Sequence, residues 1–293
     1  MRGGPFSVAA RAVQQGAAVS PGGGAVIDKV GAPAGVDVRK PHAARVYDYA
    51  LGGKDNYAAD RALIDKLSTI IPDTPLVARE NRAFLGRVVH FLAQAGIRQF
   101  LDIGTGLPTQ GNVHEVAQRV APDARVVYVD YDSVVIAHSR ELLTGIDNAV
   151  VVQKDVREPD DILDDPRVRR MIDFDQPLAV LLVGLLHLVA DSDDPAAIVA
   201  RFRAAMPTAS YLAICHITGD HQPPDAVTQW RELFGGMAEP MVPRTHEQIG
   251  RFFEGMELVD PGLVKAWEWR PDEPGGAPSP RTGWLLGGVA RKP

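Results

Sequence analysis

From Arg98 onward the sequence alternates short apolar runs with segments of helix length, and this alternation narrows the fold more than any other feature. The runs are residues 99–103, 125–129, 149–153, 178–183 and 210–215. Each is of strand length and nearly continuously apolar, which suits a strand covered on both faces. The segments between them contain helical candidates at 113–120, 134–144, 166–172 and 195–206. Strand, helix, strand repeated in this way makes right-handed crossovers, a parallel sheet and helices on both sides. The expectation is a doubly wound, Rossmann-like α/β sheet.

The flanks differ from this core. Runs at 257–259 and 263–269 are followed by a Pro/Gly-rich stretch at 271–280 and a last run at 283–290. With no helix between the last two runs, an antiparallel C-terminal hairpin joins them most simply, on an otherwise mostly parallel sheet. Ahead of the sheet, Pro41 to Gly96 has helical periodicity, with one amphipathic segment at 60–70, a break at 72–75 and a longer helix at 76–95. The first residues lack apolar periodicity and contain Pro21-Gly22-Gly23-Gly24. Three segments follow: a flexible N-terminal tail at 1–38, an N-terminal helical cap or lid at 39–97, and the α/β core at 98–293.

Charge narrows the partners. Lysine and arginine number 31 against 37 acidic residues, a net charge of −6, so there is no basic footprint for nucleic acid. The longest apolar stretch, 178–190, is too short to cross a bilayer and contains His187, so no membrane partner is expected. Cys215 is the single cysteine and sits in an apolar run, which reads as strand interior and a reducing, cytoplasmic setting. The arginines at 2 and 11, with no acid before Asp28, faintly resemble a transit peptide, but Arg11, Gln14 and Gln15 interrupt any signal-peptide core. Oligomeric state has no signature in the sequence.

Three acids carry the chemistry. Phe100-Leu-Asp-Ile-Gly-Thr-Gly-Leu-Pro-Thr-Gln110 delivers Asp102 from a strand into the turn Gly104-Thr105-Gly106. Ligands of open α/β sheets sit outside the carboxyl ends of the strands, where glycine lets a ligand approach the backbone. A carboxylate there can accept charge-assisted hydrogen bonds from an ammonium group. The second run ends in Asp130-Tyr131-Asp132, where Asp130 can take both hydroxyls of a ribose, Tyr131 can pack on adenine and Asp132 can cap the next helix. The third ends in Asp155-Val156, which can read the adenine amine and ring. Any one of these turns has a purely structural reading, but three acids at three successive strand ends form a much rarer constellation. An adenosyl cofactor with an amino group, S-adenosylmethionine, fits all three. A nicotinamide cofactor shares the ribose acid, yet Gly104-x-Gly106-x-x-Thr109 lacks the third glycine of the dinucleotide fingerprint, and no P-loop lysine follows.

At the fourth strand end, Gly184 stands at the rim and His187 just beyond it. His187 is the candidate general base, its alternative being a histidine that bonds backbone after the turn. His216 and His221 match no tight metal-ligand spacing, so no metal is expected.

The sequence also resembles the actinomycete S-adenosylmethionine methyltransferase family once known only as a domain of unknown function, over about 41–293. The resemblance rests on Ala44-Arg-Val-Tyr-Asp-Tyr-Ala-Leu-Gly-Gly-Lys-Asp-Asn56-Tyr57, on Asp60-Arg61, on Ala78-Arg-Glu-Asn-Arg-Ala-Phe-Leu85, on the Asp102 and Asp130 segments, on Trp269-Arg-Pro271 and on Gly287-Gly288. It implies a class I methyltransferase fold and S-adenosylmethionine as cofactor, and no particular acceptor. Pro108 departs from the wider pattern, which often has glycine there. Tyr47, Lys54 and Asn56, on and beside the Gly52-Gly53 hinge, are the candidate lid and substrate residues. The expected function is methyl transfer to a small-molecule acceptor. The alternatives are a nicotinamide-dependent oxidoreductase and a non-catalytic cofactor-binding protein.

Overall fold

The computed structural model describes residues 37–108, 111–220, 222–234, 241–271 and 283–293. Nearly all of the expected tail, most of the Pro/Gly-rich stretch, Thr109 and His221 therefore lie outside the described residues. Three helices come first: α1 (Ala43–Ala50), α2 (Ala58–Ile70) and α3 (Thr74–Gln94). Pro75 lies in the first turn of α3, where its missing N–H leaves no bond unmade, so the expected break is a helix start. The core follows as β1 (Gln99–Ile103), α4 (Val113–Val120), β2 (Arg125–Asp130), α5 (Ser133–Leu142), β3 (Ala149–Gln153), α6 (Pro159–Leu163), α7 (Pro166–Met171), β4 (Ala179–Val183), α8 (Pro195–Ala205) and β5 (Tyr211–Ile217). The chain closes with α9 (Pro224–Phe234), α10 (His246–Arg251), β6 (Glu257–Leu258), β7 (Val264–Lys265) and β8 (Leu285–Arg291).

The strands lie in the order β3-β2-β1-β4-β5-β8-β6, with β7 also pairing β8. The first five are parallel, and β8 runs antiparallel to β5, β6 and β7. Alternate residues of each strand feed two separate cores, as a sheet covered on both faces requires. Phe100, Val126, Leu181 and Ala213 join one core, and Leu101, Val127, Val180 and Leu212 the other. Asp102 shares the face of Phe100, toward the N-terminal helices. Chain order reverses between β1 and β4, so the crevice for a ligand opens at their carboxyl ends.

The run expected as a strand at 263–269 is strand only at β7 and then becomes a 3₁₀ turn at Ala266–Glu268. The turn buries the Trp269 ring against Phe84 and Phe91, with centroids 5.6 and 5.7 Å away. Arg87 donates to the Trp269 and Ala266 carbonyls at 2.9 and 2.7 Å, satisfying groups a ladder would otherwise have used. A Cβ at Gly287 of β8 would stand 2.5 Å from the Phe84 ring, so this glycine lets α3 sit against the sheet. Among the described residues no helix is long and apolar enough to cross a membrane.

The polar residues of the segment 44–61 build the cap from within. Asp60, fully buried, accepts from the Arg45 guanidinium at 3.0 Å and from the amides of His42 and Tyr57 at 2.9 and 2.8 Å. Asp48 accepts from the Asp55 amide and the Asn56 side chain, both at 2.9 Å, and a Cβ on Gly53 would overlap its carboxylate. Removing one partner of a buried ion pair strands the other. Asp60→Ala should therefore lower unfolding free energy in urea by about 3–5 kcal/mol, whereas Lys54→Ala at the exposed tip should stay within about 0.5 kcal/mol of wild type. Equal effects would contradict this division.

Candidate active site

The carboxyl ends of β1, β2 and β4 and the inner faces of the three N-terminal helices enclose one cavity. Asp102, Gly104, Thr105, Gly106, Asp130, Tyr131, Val156, Gly184, His187 and Tyr47 all line it, so most of the residues singled out in the sequence come together.

The turn after β1 is pinned to β2. The amides of Gly104 and Thr105 donate to the Val129 carbonyl at 2.8 and 3.2 Å. Asp130 closes the same junction, its Oδ2 accepting from the Gly106 amide and its Oδ1 from the Asp132 amide, each at 2.9 Å. Asp102 accepts from the Thr105 hydroxyl at 3.0 Å. Both acids are almost wholly buried, and loss of hydration pushes each carboxyl up to about 6 against these hydrogen bonds.

The glycines divide by cause. Gly104, Gly106 and Gly184 all have positive φ, at 73°, 66° and 76°. A Cβ on Gly104 would meet Leu185 at 2.5 Å, and one on Gly184 would meet the Asn81 amide nitrogen at 2.8 Å. Protein side chains approach the backbone at these two, and both still line the cavity. Only Gly106 has open space where its side chain would stand.

Three expected residues lie elsewhere. The Asp155 carboxylate is not on the cavity wall but grips Arg157, whose Nε is 3.0 Å from both oxygens, and its neighbours Lys154 and Val156 line the cavity instead. Asn56 is not at the cavity because it is bound into the cap loop by Asp48, the Gly53 carbonyl and Arg61. Lys54 is exposed at the loop tip, away from the cavity wall.

His187 follows β4 in a 3₁₀ turn and is buried. Burial first, and the Arg244 charge second, lower its pKa to about 3, so the ring is neutral at physiological pH. Its Nδ1 has no hydrogen-bond partner. Arg244 clamps the turn by donating to the Leu186 and Val189 carbonyls at 2.7 and 2.9 Å and to Asp191 at 2.6 Å. It also lies 3.0 Å from His216 Nε2, while His216 Nδ1 is 2.7 Å from the Ile217 carbonyl. Both nitrogens of His216 thus have protein partners. Arg244 stands 53 to 58 positions in sequence from the turn residues it bonds, which no local signal shows.

His42, Asn81, Arg82 and Trp230 also line the cavity and were not singled out. His42 Nε2 lies 2.8 Å from the Tyr131 hydroxyl and its Nδ1 2.9 Å from Asp132, joining the cap to the β2 end. Asn81 and Arg82 stand inside the Ala78–Leu85 segment that carried the resemblance, so a signal for them existed. Trp230 stands in α9, for which the sequence reading proposed no element.

An open α/β sheet of this order, with acids at its central strand ends around one cavity, defines a class I methyltransferase architecture. The sequence matches the family described as S-adenosyl methyltransferase over residues 29–293. A DUF574 family protein from Streptomyces avermitilis is 42% identical, with 88% of this chain and 99% of that one covered and a TM-score of 0.83. A candidate methyltransferase from Thermobifida fusca is 47% identical, with 90% and 99% covered and a TM-score of 0.83. No curated protein matches the chain. The chain belongs to the S-adenosyl methyltransferase family, and it is an S-adenosylmethionine-dependent methyltransferase whose second substrate is a methyl acceptor. The oxidoreductase alternative is set aside by that membership.

Gly104→Ala should lose about 1–2 kcal/mol to the left-handed backbone and a further 1–3 kcal/mol or so to crowding against Leu185. Gly106→Ala should lose only the first of these in stability, yet place a methyl group in the cavity and weaken S-adenosylhomocysteine binding. Urea unfolding and calorimetry on the two variants check the contrast, and equal stability losses would contradict it.

Proposed function

We propose that Asp102 holds the amino group of S-adenosylmethionine, Asp130 its ribose hydroxyls, and Tyr131 and the Val156 backbone its adenine, along the turn Gly104-Thr105-Gly106 and the rim at Gly184. One observation carries this reading. Two carboxylates pushed up to about 6 by burial stand at adjacent strand ends around one cavity, and an ammonium group and hydroxyls are the partners that relieve such burial. Gly106, with no atom near its missing Cβ, leaves room beside them. The donor set therefore fits the cofactor, which supplies a methyl carbon on a positively charged sulfur.

The acceptor in this reading is a small molecule enclosed beneath the helical cap, which supplies Tyr47 and excludes water. A cavity roofed by three helices on a chain of net charge −6 suits neither nucleic acid nor a charged surface. The single thiol, buried in β5, accords with a cytoplasmic setting. The protein's main contribution is to hold acceptor and methyl carbon in line. His187, neutral and on the cavity wall, is the proton acceptor in this reading. Its weak basicity is a poor match for an unreacted hydroxyl. It is sufficient for an oxygen that has gained most of its bond to carbon and become strongly acidic, so the proton leaves late and passes on to solvent.

Protonation of Asp102 and Asp130 opposes ligand binding. Their pKa is near 6 in the free protein and falls when an ammonium group or hydroxyl bonds the ionised form, so affinity is full above pH 6 and declines as pH drops through it. Calorimetry with S-adenosylhomocysteine should show proton release near pH 6. It should also show affinity at least about tenfold weaker for Asp130→Ala at pH 8. Unchanged affinity in a folded Asp130→Ala protein, or no pH dependence between 5 and 7, would remove the assignment.

A further inference from the structure

His42 opens α1 and stands on the cavity wall, between the cap and the end of β2. Its backbone belongs to the cap. The His42 amide donates to Asp60 Oδ1 at 2.9 Å, and Asp60 is the carboxylate that also gathers Arg45 and Tyr57. Its ring reaches the sheet. Nε2 lies 2.8 Å from the Tyr131 hydroxyl and Nδ1 lies 2.9 Å from Asp132 Oδ2, so one imidazole meets both residues that follow β2. Beside it Ala44 packs on the cluster of Leu107, Val134 and Val135, which continues the same seam.

The bond to Tyr131 does not depend on where the histidine proton sits. Nδ1 faces the Asp132 carboxylate at 2.9 Å and the Ala44 amide at 3.4 Å, partners that favour opposite tautomers. A phenol hydroxyl both donates and accepts, so it bonds Nε2 in either one. The two rings are tilted by 47° with centroids 5.6 Å apart, so His42 holds Tyr131 by its hydroxyl and does not stack on its face. Tyr131 is nonetheless 38% exposed and lines the cavity. A bond that served only to close the seam would need no ring open to the cavity. Here such a ring is fixed in one orientation beforehand, which lowers the entropy cost of binding a flat ligand against it.

We infer that His42 is a positioning residue for the methyl donor: from the cap it holds the Tyr131 hydroxyl, sets the ring that receives the adenine, and so couples docking of the cap to occupancy of the donor site. The assignment rests on the cofactor reading, which supplies the adenine. Asp130 immediately precedes Tyr131, and its carboxylate accepts from the Asp132 amide at 2.9 Å. The ribose acid, the adenine ring and the second contact of His42 therefore occupy consecutive positions 130–132. By reciprocity, a tether that favours cofactor binding is favoured by the cofactor to the same degree. Occupancy of the donor site then steadies α1.

The test measures S-adenosylhomocysteine affinity by calorimetry on the full chain and its variants. Tyr131→Phe, which keeps the ring and removes only the hydroxyl, should weaken binding about three- to tenfold. His42→Phe should weaken it by a similar factor, and the double variant by no more than either alone, because both remove the same bond. His42→Gln, whose amide can stand in for Nε2, should recover most of the affinity. Saturating S-adenosylhomocysteine should slow amide exchange in α1 of the wild-type protein, and by at least about threefold less in Tyr131→Phe. Unchanged affinity in Tyr131→Phe, losses that multiply in the double variant, or equal slowing of α1 in both proteins overturns the inference. Asp130→Ala separates the causes: if it weakens binding while Tyr131→Phe does not, the His42 assignment alone falls, and if neither does, the cofactor reading falls as well.

Discussion

Asp102 and Asp130 stand nearly out of water at the ends of adjacent parallel strands, and the site depends on how the protein keeps them there. An isolated buried carboxylate is unfavourable, so each is supported in part, Asp102 by the Thr105 hydroxyl and Asp130 by two backbone amides. The support is incomplete, which is why both carboxyls remain raised. Asp130 also ties the turn after β1 to the end of β2, so one group shapes the turn and faces the cavity. The structural role and the proposed binding role thus fall on a single side chain.

The cap rests on a second buried polar arrangement. Asp60 with Arg45, and Asp48 with the loop it gathers, let three helices meet over the crevice with their charges satisfied inside the cap. That leaves the surface turned toward the sheet mainly apolar. The chamber below it is thus a product of the cap's internal bonding, with His42, Tyr47, Thr74, Asn81 and Arg82 as polar residues of the cap on its wall. On the far side, Arg244 holds the turn that presents His187, and burial first, with the Arg244 charge second, keeps the ring neutral.

The sheet was legible because its signals are local. Apolar runs fall within a residue or two of β1 to β5, and the acids that end β1 and β2 stand at the cavity. Less was legible where a residue's partner is distant in sequence. Asn56 looks like a site residue in a polar, glycine-rich motif, but it is consumed, with Asp48, by contacts that build the cap. Gly104 and Gly184 were rightly placed at the rim, while their cause, the approach of Leu185 and Asn81, follows only from packing. The 3₁₀ turn at Ala266–Glu268 replaces the rest of an expected strand and buries Trp269 on Phe84 and Phe91. His42, Trp230 and Arg244 act across the fold and leave no mark in local pattern.

The central claim is that the two strand-end carboxylates together form the berth of the methyl donor. A crystal structure of the complex with S-adenosylhomocysteine tests it most directly. The account predicts the amino group within hydrogen-bonding distance of Asp102 and both ribose hydroxyls at Asp130, with the sulfur turned toward the chamber beneath the cap. A ligand bound away from either carboxylate, or with its sulfur turned out to solvent, would contradict it.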